Sequence, residues 1–401
     1  MSDLIKISLV FFLILLLLRQ KLFIGYVMLV ASVSVAALYR MSPENIAATL
    51  RKATLNDTTI KLLLALSLIR TFELILREKN VMSAMMTSVK EFFINSRVII
   101  ISMPLLIGML PSLGGAYFSA PMVKEATTGL KMSPEERAFI NYWFRHPWEY
   151  ILPLYPGILL ASAVSGIPLY SLIFANMVCA FILLATGFIY SMRNIKPKNP
   201  DSIMPVKIRL KKTNWQSFVP VLAVLLLVVA ARMELHYALL GIIITLFIVY
   251  RYNPGDVLRA TRYGFAIEVI VLITGIMLFK ETLEASGAVR NLSAFLLQQG
   301  IPVLPILCLL PFVTGLLTGH TVGFVGSAFP LLITIGGGAS LANISLAFAS
   351  GFIGVLLSPV HLCLVLTRQY FKADLWGIYR KTVPASFFIF LAALIEYLIV
   401  R

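Results

Sequence analysis

Long apolar stretches joined by short polar connections fill the chain, at residues 4–18, 22–39, 58–76, 98–122, 138–165, 169–190, 216–233, 236–250, 264–279, 301–335, 341–367 and 382–400. About 20 consecutive apolar residues carry a helix across hydrocarbon, so the pattern predicts an all-α polytopic membrane protein. Several runs do not fit a simple crossing. Residues 98–122 and 301–335 hold two shorter apolar arms around a glycine-rich tip, which predicts hairpins that re-enter the membrane and return to their own side. Residues 138–165 and 341–367 contain prolines, and a proline removes a backbone donor and clashes with the preceding turn, so these predict interrupted helices. The first run resembles a signal peptide in length, yet no small-residue cleavage site follows and Arg19 and Lys21 come directly after; it reads as a retained helix. Residues 80–97 and 285–300 read as amphipathic helices lying on the membrane surface before each hairpin.

The pattern occurs twice. YRMSPENIAA (39–48) answers YRYNPGDVLR (250–259), MPLLIGMLPSLGGAYFSAP (103–121) answers LPFVTGLLTGHTVGFVGSAFP (310–330), and HPWEY answers SPVHL around Pro147 and Pro359. The order is kept throughout at a separation of about 210 residues, the sign of an internal repeat. The division is a first repeat at 1–190, a basic linker at 191–213 and a second repeat at 214–401. With about five crossings per repeat, an odd number, the second copy is inverted relative to the first.

Composition and charge narrow the reading. The chain of 401 residues is 59% hydrophobic and 13% charged, with mean hydropathy +0.90, which no soluble core can hide. A net charge of +16 invites a nucleic-acid reading, but the Lys and Arg sit in the connections between apolar runs, as cytoplasmic loops do. Nucleic acid is therefore excluded as a partner. Placing the linker Arg193 to Lys212 in the cytoplasm puts most of the 34 Lys and Arg on its side, leaving only Arg70 and Arg145 within helices. The expected location is the cell membrane. Cys179, Cys308 and Cys363 fall inside apolar runs without metal-like spacing and read as core residues.

The candidate chemistry lies at the tips and breaks. Glycines free the tips to turn sharply, and irregular backbone at membrane depth is tolerated where it lines a cavity. Ser112, Gly114, Gly115 and Ser119 in the first hairpin, and Thr318, Gly319, His320, Thr321 and Ser327 in the second, are candidate substrate ligands. At the breaks, half-helix ends would present free amides to an anion or carbonyls to a cation; Arg145, His146, Glu149, Ser358 and His361 are candidate ion-coupling residues. Three of the four histidines lie in these motifs. Arg145 and Glu149, spaced i,i+4, also fit a plain ion pair, and Arg70 with Glu73 reads as a structural pair. P-loop, GxSxG, HExxH and haem motifs are absent, so neither ATP-driven transport nor an enzyme is expected.

On these paired tips and proline breaks the sequence resembles the ion transporter superfamily of citrate, dicarboxylate, gluconate and arsenite permeases. It is most similar to an uncharacterised prokaryotic family of integral membrane proteins near the gluconate permeases. The resemblance implies inverted repeats meeting at a central site, secondary transport by rigid-body movement, and often a homodimer. The Ser-Asn-Thr signature of the sodium-coupled dicarboxylate carriers is absent from both tips.

The expected function is secondary active transport of a small organic anion, a carboxylate or sugar acid, coupled to H+ or Na+ by alternating access, with no cofactor and no bound metal. A cation/proton antiporter and a translocase of lipid headgroups such as a polyprenyl phosphate are alternatives. A membrane-embedded metal hydrolase is a further one, disfavoured because its candidate ligands are spread over separate repeats.

Overall fold

The computed structural model describes residues 3–81, 83–85, 88, 96–109, 115–192, 215–288, 302–335 and 339–400. The linker, most of the two stretches read as surface helices, and Ser112 and Gly114 lie outside the described residues. Among the described residues every regular element is helical.

The first half runs through α1 (Asp3–Arg19), α2 (Ile24–Leu38), α3 (Pro43–Leu55), α4 (Asp57–Glu78), α5 (Ser96–Gly108), α6 (Gly115–Ala126), α7 (Pro134–Trp143), α8 (Pro156–Ser165) and α9 (Leu169–Met192). The second runs through α10 (Val219–Leu225, continued by a π-helical turn Leu226–Ala230), α11 (Leu235–Val249), α12 (Pro254–Gly264), α13 (Ile267–Ala285), α14 (Val303–Thr318), α15 (Thr321–Ile335), α16 (Leu341–Leu356), α17 (Leu362–Phe371) and α18 (Leu375–Val400). Among the described residues, three stretches are long and apolar enough to cross a membrane: Leu169–Ser191, Pro254–Ala285 and Leu375–Val400. The middle one is two helices, α12 and α13, joined at Phe265 and Ala266.

Local sequence explains the starts. The amide of Asn45 donates to Ser42 Oγ at 3.2 Å, and that of Asp256 donates to Asn253 Oδ1 at 2.9 Å, each with proline at the first helical position; a polar cap followed by proline suits a helix N-terminus. So α3 and α12 are helices where the apolar runs left only connections. Left-handed backbone joins the elements at Lys21 and Arg232, at Arg40 and Arg251, at Asn80 and Gly287, and at Gly166 and Lys372.

Helices of the two halves interleave. α2 packs on α13 and α4 on α11, α3 on α13 and α4 on α12, and α8 on α15 and α6 on α17; α9 lies along α18. α16 is the most enclosed element, buried continuously from Ile344 to Leu356. Its approach to α14 depends on a missing side chain: a Cβ on Gly315 would strike the carbonyl oxygen of Gly351. With lipid as apolar as leucine, such backbone-close contact is a main source of helix association in membranes. Outward, α9 exposes Phe174, Phe181 and Phe188, and α18 exposes Phe387, Leu398 and Ile399. A surface of this kind suits lipid.

Candidate functional site

Both interrupted helices break where their prolines stand. After α7 the chain leaves helix at Phe144, makes one turn at Trp148–Ile151 and resumes at Pro156; after α16 it leaves at Leu357 and resumes at Leu362. The first break is held against α5. The Trp148 indole donates to the Leu105 carbonyl at 2.6 Å and the Tyr155 hydroxyl donates to the Gly108 carbonyl at 2.5 Å. Gly108 itself allows the approach, since a Cβ there would strike the carbonyl oxygen of Arg145. The second break is held against α14, where Ser358 Oγ donates to the Leu316 carbonyl at 2.7 Å.

Between the breaks opens a cavity of about 490 Å³. The first break supplies Arg145, His146 and Glu149 to its wall, the second His361 and Cys363, and the joint between α14 and α15 supplies Thr318 to Thr321. α4 adds Arg70 and Glu73, and Tyr263 of α12 closes one side. The walls are otherwise apolar, with Leu66, Ile69, Val269 and Leu272 among them. A concave, mostly apolar space with a few convergent polar groups is the common form of a small-molecule site.

The charged groups are incompletely matched. Arg145 is 4% exposed, and its Nε and Nη1 have no hydrogen-bond partner. No ion pair within 4.0 Å joins it to Glu149; the carboxylate stands 3.8 Å from His146 Nε2 instead, within reach of the Thr321 hydroxyl. The proposed Arg70–Glu73 pair does not form either. Arg70 lies over the Tyr263 ring at 4.9 Å, and Glu73 pairs with Arg77 at 4.0 Å. The reason is tertiary: α12 brings an aromatic face to Arg70, which competes with the partner that helical spacing offers.

The histidines are oriented by backbone. His146 Nδ1 meets the Tyr142 carbonyl at 2.6 Å, His361 Nδ1 meets the Gly319 carbonyl at 2.5 Å, and the two Nε2 atoms face each other at 3.0 Å. His320 differs, its Nδ1 accepting from the Gly323 amide at 2.9 Å, which places the ring proton on Nε2. Gly319 adopts φ +67°, a conformation that glycine reaches without steric cost; that turn carries its carbonyl to His361.

A family model described as "Protein of unknown function (DUF401)" matches residues 2–400. The chain belongs to that family. A comparison with curated proteins returns no match.

Of the residues singled out from sequence, Thr318, Gly319, His320, Thr321, Arg145, His146, Glu149 and His361 line one cavity. Gly115, Ser119, Ser327 and Ser358 do not. Ser119 Oγ donates to the Gly115 and Ala116 carbonyls at 3.3 and 3.4 Å, and Ser327 Oγ donates to the Gly323 carbonyl at 2.7 Å, both fully buried in their own helices. Helical serines whose hydroxyls bond back four residues are structural in this setting. Ser112 and Gly114 fall outside the described residues. Cys363, Arg70, Glu73 and Tyr263 are the cavity residues that sequence reasoning missed or set aside. His361-Leu362-Cys363 held a usable signal, a soft ligand two residues beyond a histidine at a proline break.

Proposed function

We propose that the protein is a secondary active carrier of a small organic anion, such as a carboxylate or sugar acid, coupled to H+ or Na+. The observation that carries this reading is the Arg145 guanidinium, buried in the cavity wall with two nitrogens unpartnered. Buried guanidinium donors left without partners are costly, and an anion in the cavity would offset the cost with charge-assisted hydrogen bonds, bidentate where a carboxylate meets the guanidinium fork. Arg70 and His320 add a second positive group and a ring donor to the same space.

The carrier reading also needs two states, for which duplication is the usual source. The reciprocal packing of α2 with α13 and α4 with α11, and of α8 with α15 and α6 with α17, supports two like repeats. So do the matching left-handed joints. The hairpin arms α5 and α6, of 13 and 12 residues, fall well short of the roughly 20 that cross a bilayer, which favours re-entry. We place the repeats in inverted orientation across the cell membrane with about five crossings each, so that rocking one part against the other exposes the cavity alternately.

The test uses purified full-length protein reconstituted in proteoliposomes, with carboxylates, sugar acids and phosphates offered in thermal-shift and counterflow assays. At least one anion should raise the melting temperature and exchange across the membrane, and Arg145→Gln should abolish both effects. If no anion of the series shifts the protein, or the variant binds as well as the parent, the reading fails.

A further inference from the structure

The two facing imidazoles pose a problem of their own. A backbone carbonyl only accepts, so the contacts of His146 Nδ1 with Tyr142 and of His361 Nδ1 with Gly319 fix the ring proton on Nδ1 in both. Each neutral ring then directs the lone pair of Nε2 at the other across 3.0 Å. Two acceptors cannot satisfy each other in a buried site, where His146 is 1% and His361 6% exposed. The Cys363 thiol lies within hydrogen-bonding reach of His146 and can serve that ring alone, whereas a positive centre between or beside the rings satisfies both.

The third group at this point is a thiol. The Nε2 or Nδ1 of each ring and Cys363 Sγ form a set whose ligand atoms lie within 4.8 Å of one another. Imidazole with its far nitrogen donating to a backbone carbonyl is the arrangement found behind metal-bound histidine, where the outer hydrogen bond fixes tautomer and orientation. Zinc takes nitrogen at about 2.0–2.1 Å and thiolate sulfur at about 2.3 Å, so a metal beside the two nitrogens would draw in Cys363 Sγ, which lies no more than 4.8 Å from the ligand atom of either ring. Hard cations such as Na+, Mg2+ and Ca2+ prefer oxygen; two imidazoles and a thiolate select zinc-like metals.

We propose that His146, His361 and Cys363 bind one divalent transition metal of the zinc class, which clamps the two helix breaks together and turns its fourth position towards Glu149 and the cavity. Cys363 releases its proton to solvent as the thiolate binds, with no change of oxidation state. Glu149, 3.8 Å from His146 Nε2, balances the added charge. Sequence separation argued against a compact ligand set, and the fold closes that separation. The proposal holds whether or not the cavity carries a solute, because it concerns the wall and not the contents.

Cobalt(II) in place of zinc tests it directly. Full-length protein, purified in detergent and stripped with chelator, is titrated with Co2+ while the absorption spectrum is followed. The expected result is saturation at one metal per chain, with visible d–d bands of tetrahedral strength and a thiolate-to-cobalt charge-transfer band in the near ultraviolet. Cys363→Ser should remove the charge-transfer band and weaken binding at least tenfold, while Cys179→Ser and Cys308→Ser keep both. His361→Gln should also weaken binding at least tenfold. Absence of stoichiometric binding in the parent, or a charge-transfer band that survives Cys363→Ser, overturns the proposal and leaves a proton shared between the rings as the positive centre. Failure here leaves Arg145-dependent anion exchange untouched, so the two readings fail separately.

Discussion

The two helix breaks occupy equivalent places and differ in almost everything chemical. The first is long, with two prolines and a helical turn between α7 and α8 and a third proline opening α8, and it carries the charges, Arg145 and Glu149. It is tied to α5 by aromatic donors, Trp148 and Tyr155. The second is five residues, Leu357 to His361, and carries no carboxylate or guanidinium; its contribution is one imidazole and a serine that caps α14, with the Cys363 thiol following in the first turn of α17. Only across the joint do they make a site, since the closest polar contact between them is the pair of histidine nitrogens at 3.0 Å. The same backbone device stands at both places, one bringing charge to the cavity and the other orientation.

The hardest way to break this comparison is to unseat both devices. Gly108→Val drives a side chain into the Arg145 carbonyl, and Gly315→Val drives one into the Gly351 carbonyl. In both cases the obstacle is backbone, which has no rotamer to escape into. Overpacking of this kind costs about 1–3 kcal/mol and more where backbone must move, so both variants should lose most of their folded yield in fluorescence-detected size exclusion. If one folds normally and the other does not, the two breaks are not seated alike.

A second test separates charge from orientation. Arg145→Gln removes a buried charge whose Nε and Nη1 lack partners, so the protein without solute should become more stable in thermal melting. Anion binding should fall tenfold or more, about 1.4 kcal/mol. Arg70→Gln should cost less, a several-fold loss, because that guanidinium already rests on Tyr263. A drop in the melting temperature of Arg145→Gln would mean that its charge is compensated, and the first break would no longer be the unbalanced half.

The sequence made the breaks and the second tip legible because proline, glycine and histidine act locally: each changes the backbone or the titratable chemistry where it stands. Thr318 to Thr321, Arg145, His146, Glu149 and His361, which line the cavity, stand out on that ground. Helix α3 escapes the pattern of apolar runs because it is amphipathic, although Ser42-Pro43 marks its start. Helical spacing pairs Arg70 with Glu73, whereas Tyr263, which it meets, comes from a distant segment. Cys363 read as core for the same reason: what makes it chemical is His146, more than two hundred residues away, and only the fold sets them together.

The third test is milder and concerns the cap. Ser358→Ala leaves the Leu316 carbonyl without its donor at the end of α14. A neutral hydrogen bond contributes about 1 kcal/mol, so the variant should melt a few degrees lower and bind the anion normally. A loss of binding comparable to that of Arg145→Gln would give the second break a direct role in holding the solute.

The smallest expected effect is at Ser119 and Ser327, which hold matching places in the similar stretches 103–121 and 310–330. Matching position first pointed to a shared role in binding. The geometry points to a shared role in the helix, because each hydroxyl donates to a carbonyl of the preceding turn and neither side chain reaches the cavity. Those carbonyls already accept from the helical amide ladder, so losing the serine leaves no orphaned acceptor of the kind that makes Ser358→Ala costly. What remains is the loss of a weak second bond and the gain of a better helix former, two terms of a few tenths of a kcal/mol and opposite sign. Ser119→Ala and Ser327→Ala should therefore leave the melting temperature and the anion affinity close to the parent, within about 0.5 kcal/mol. Thermal melting and a binding isotherm on each variant check this. If either lowers affinity several-fold, its hairpin must open towards the cavity in another state of the cycle, and the hairpins, not the breaks, would be the parts that move.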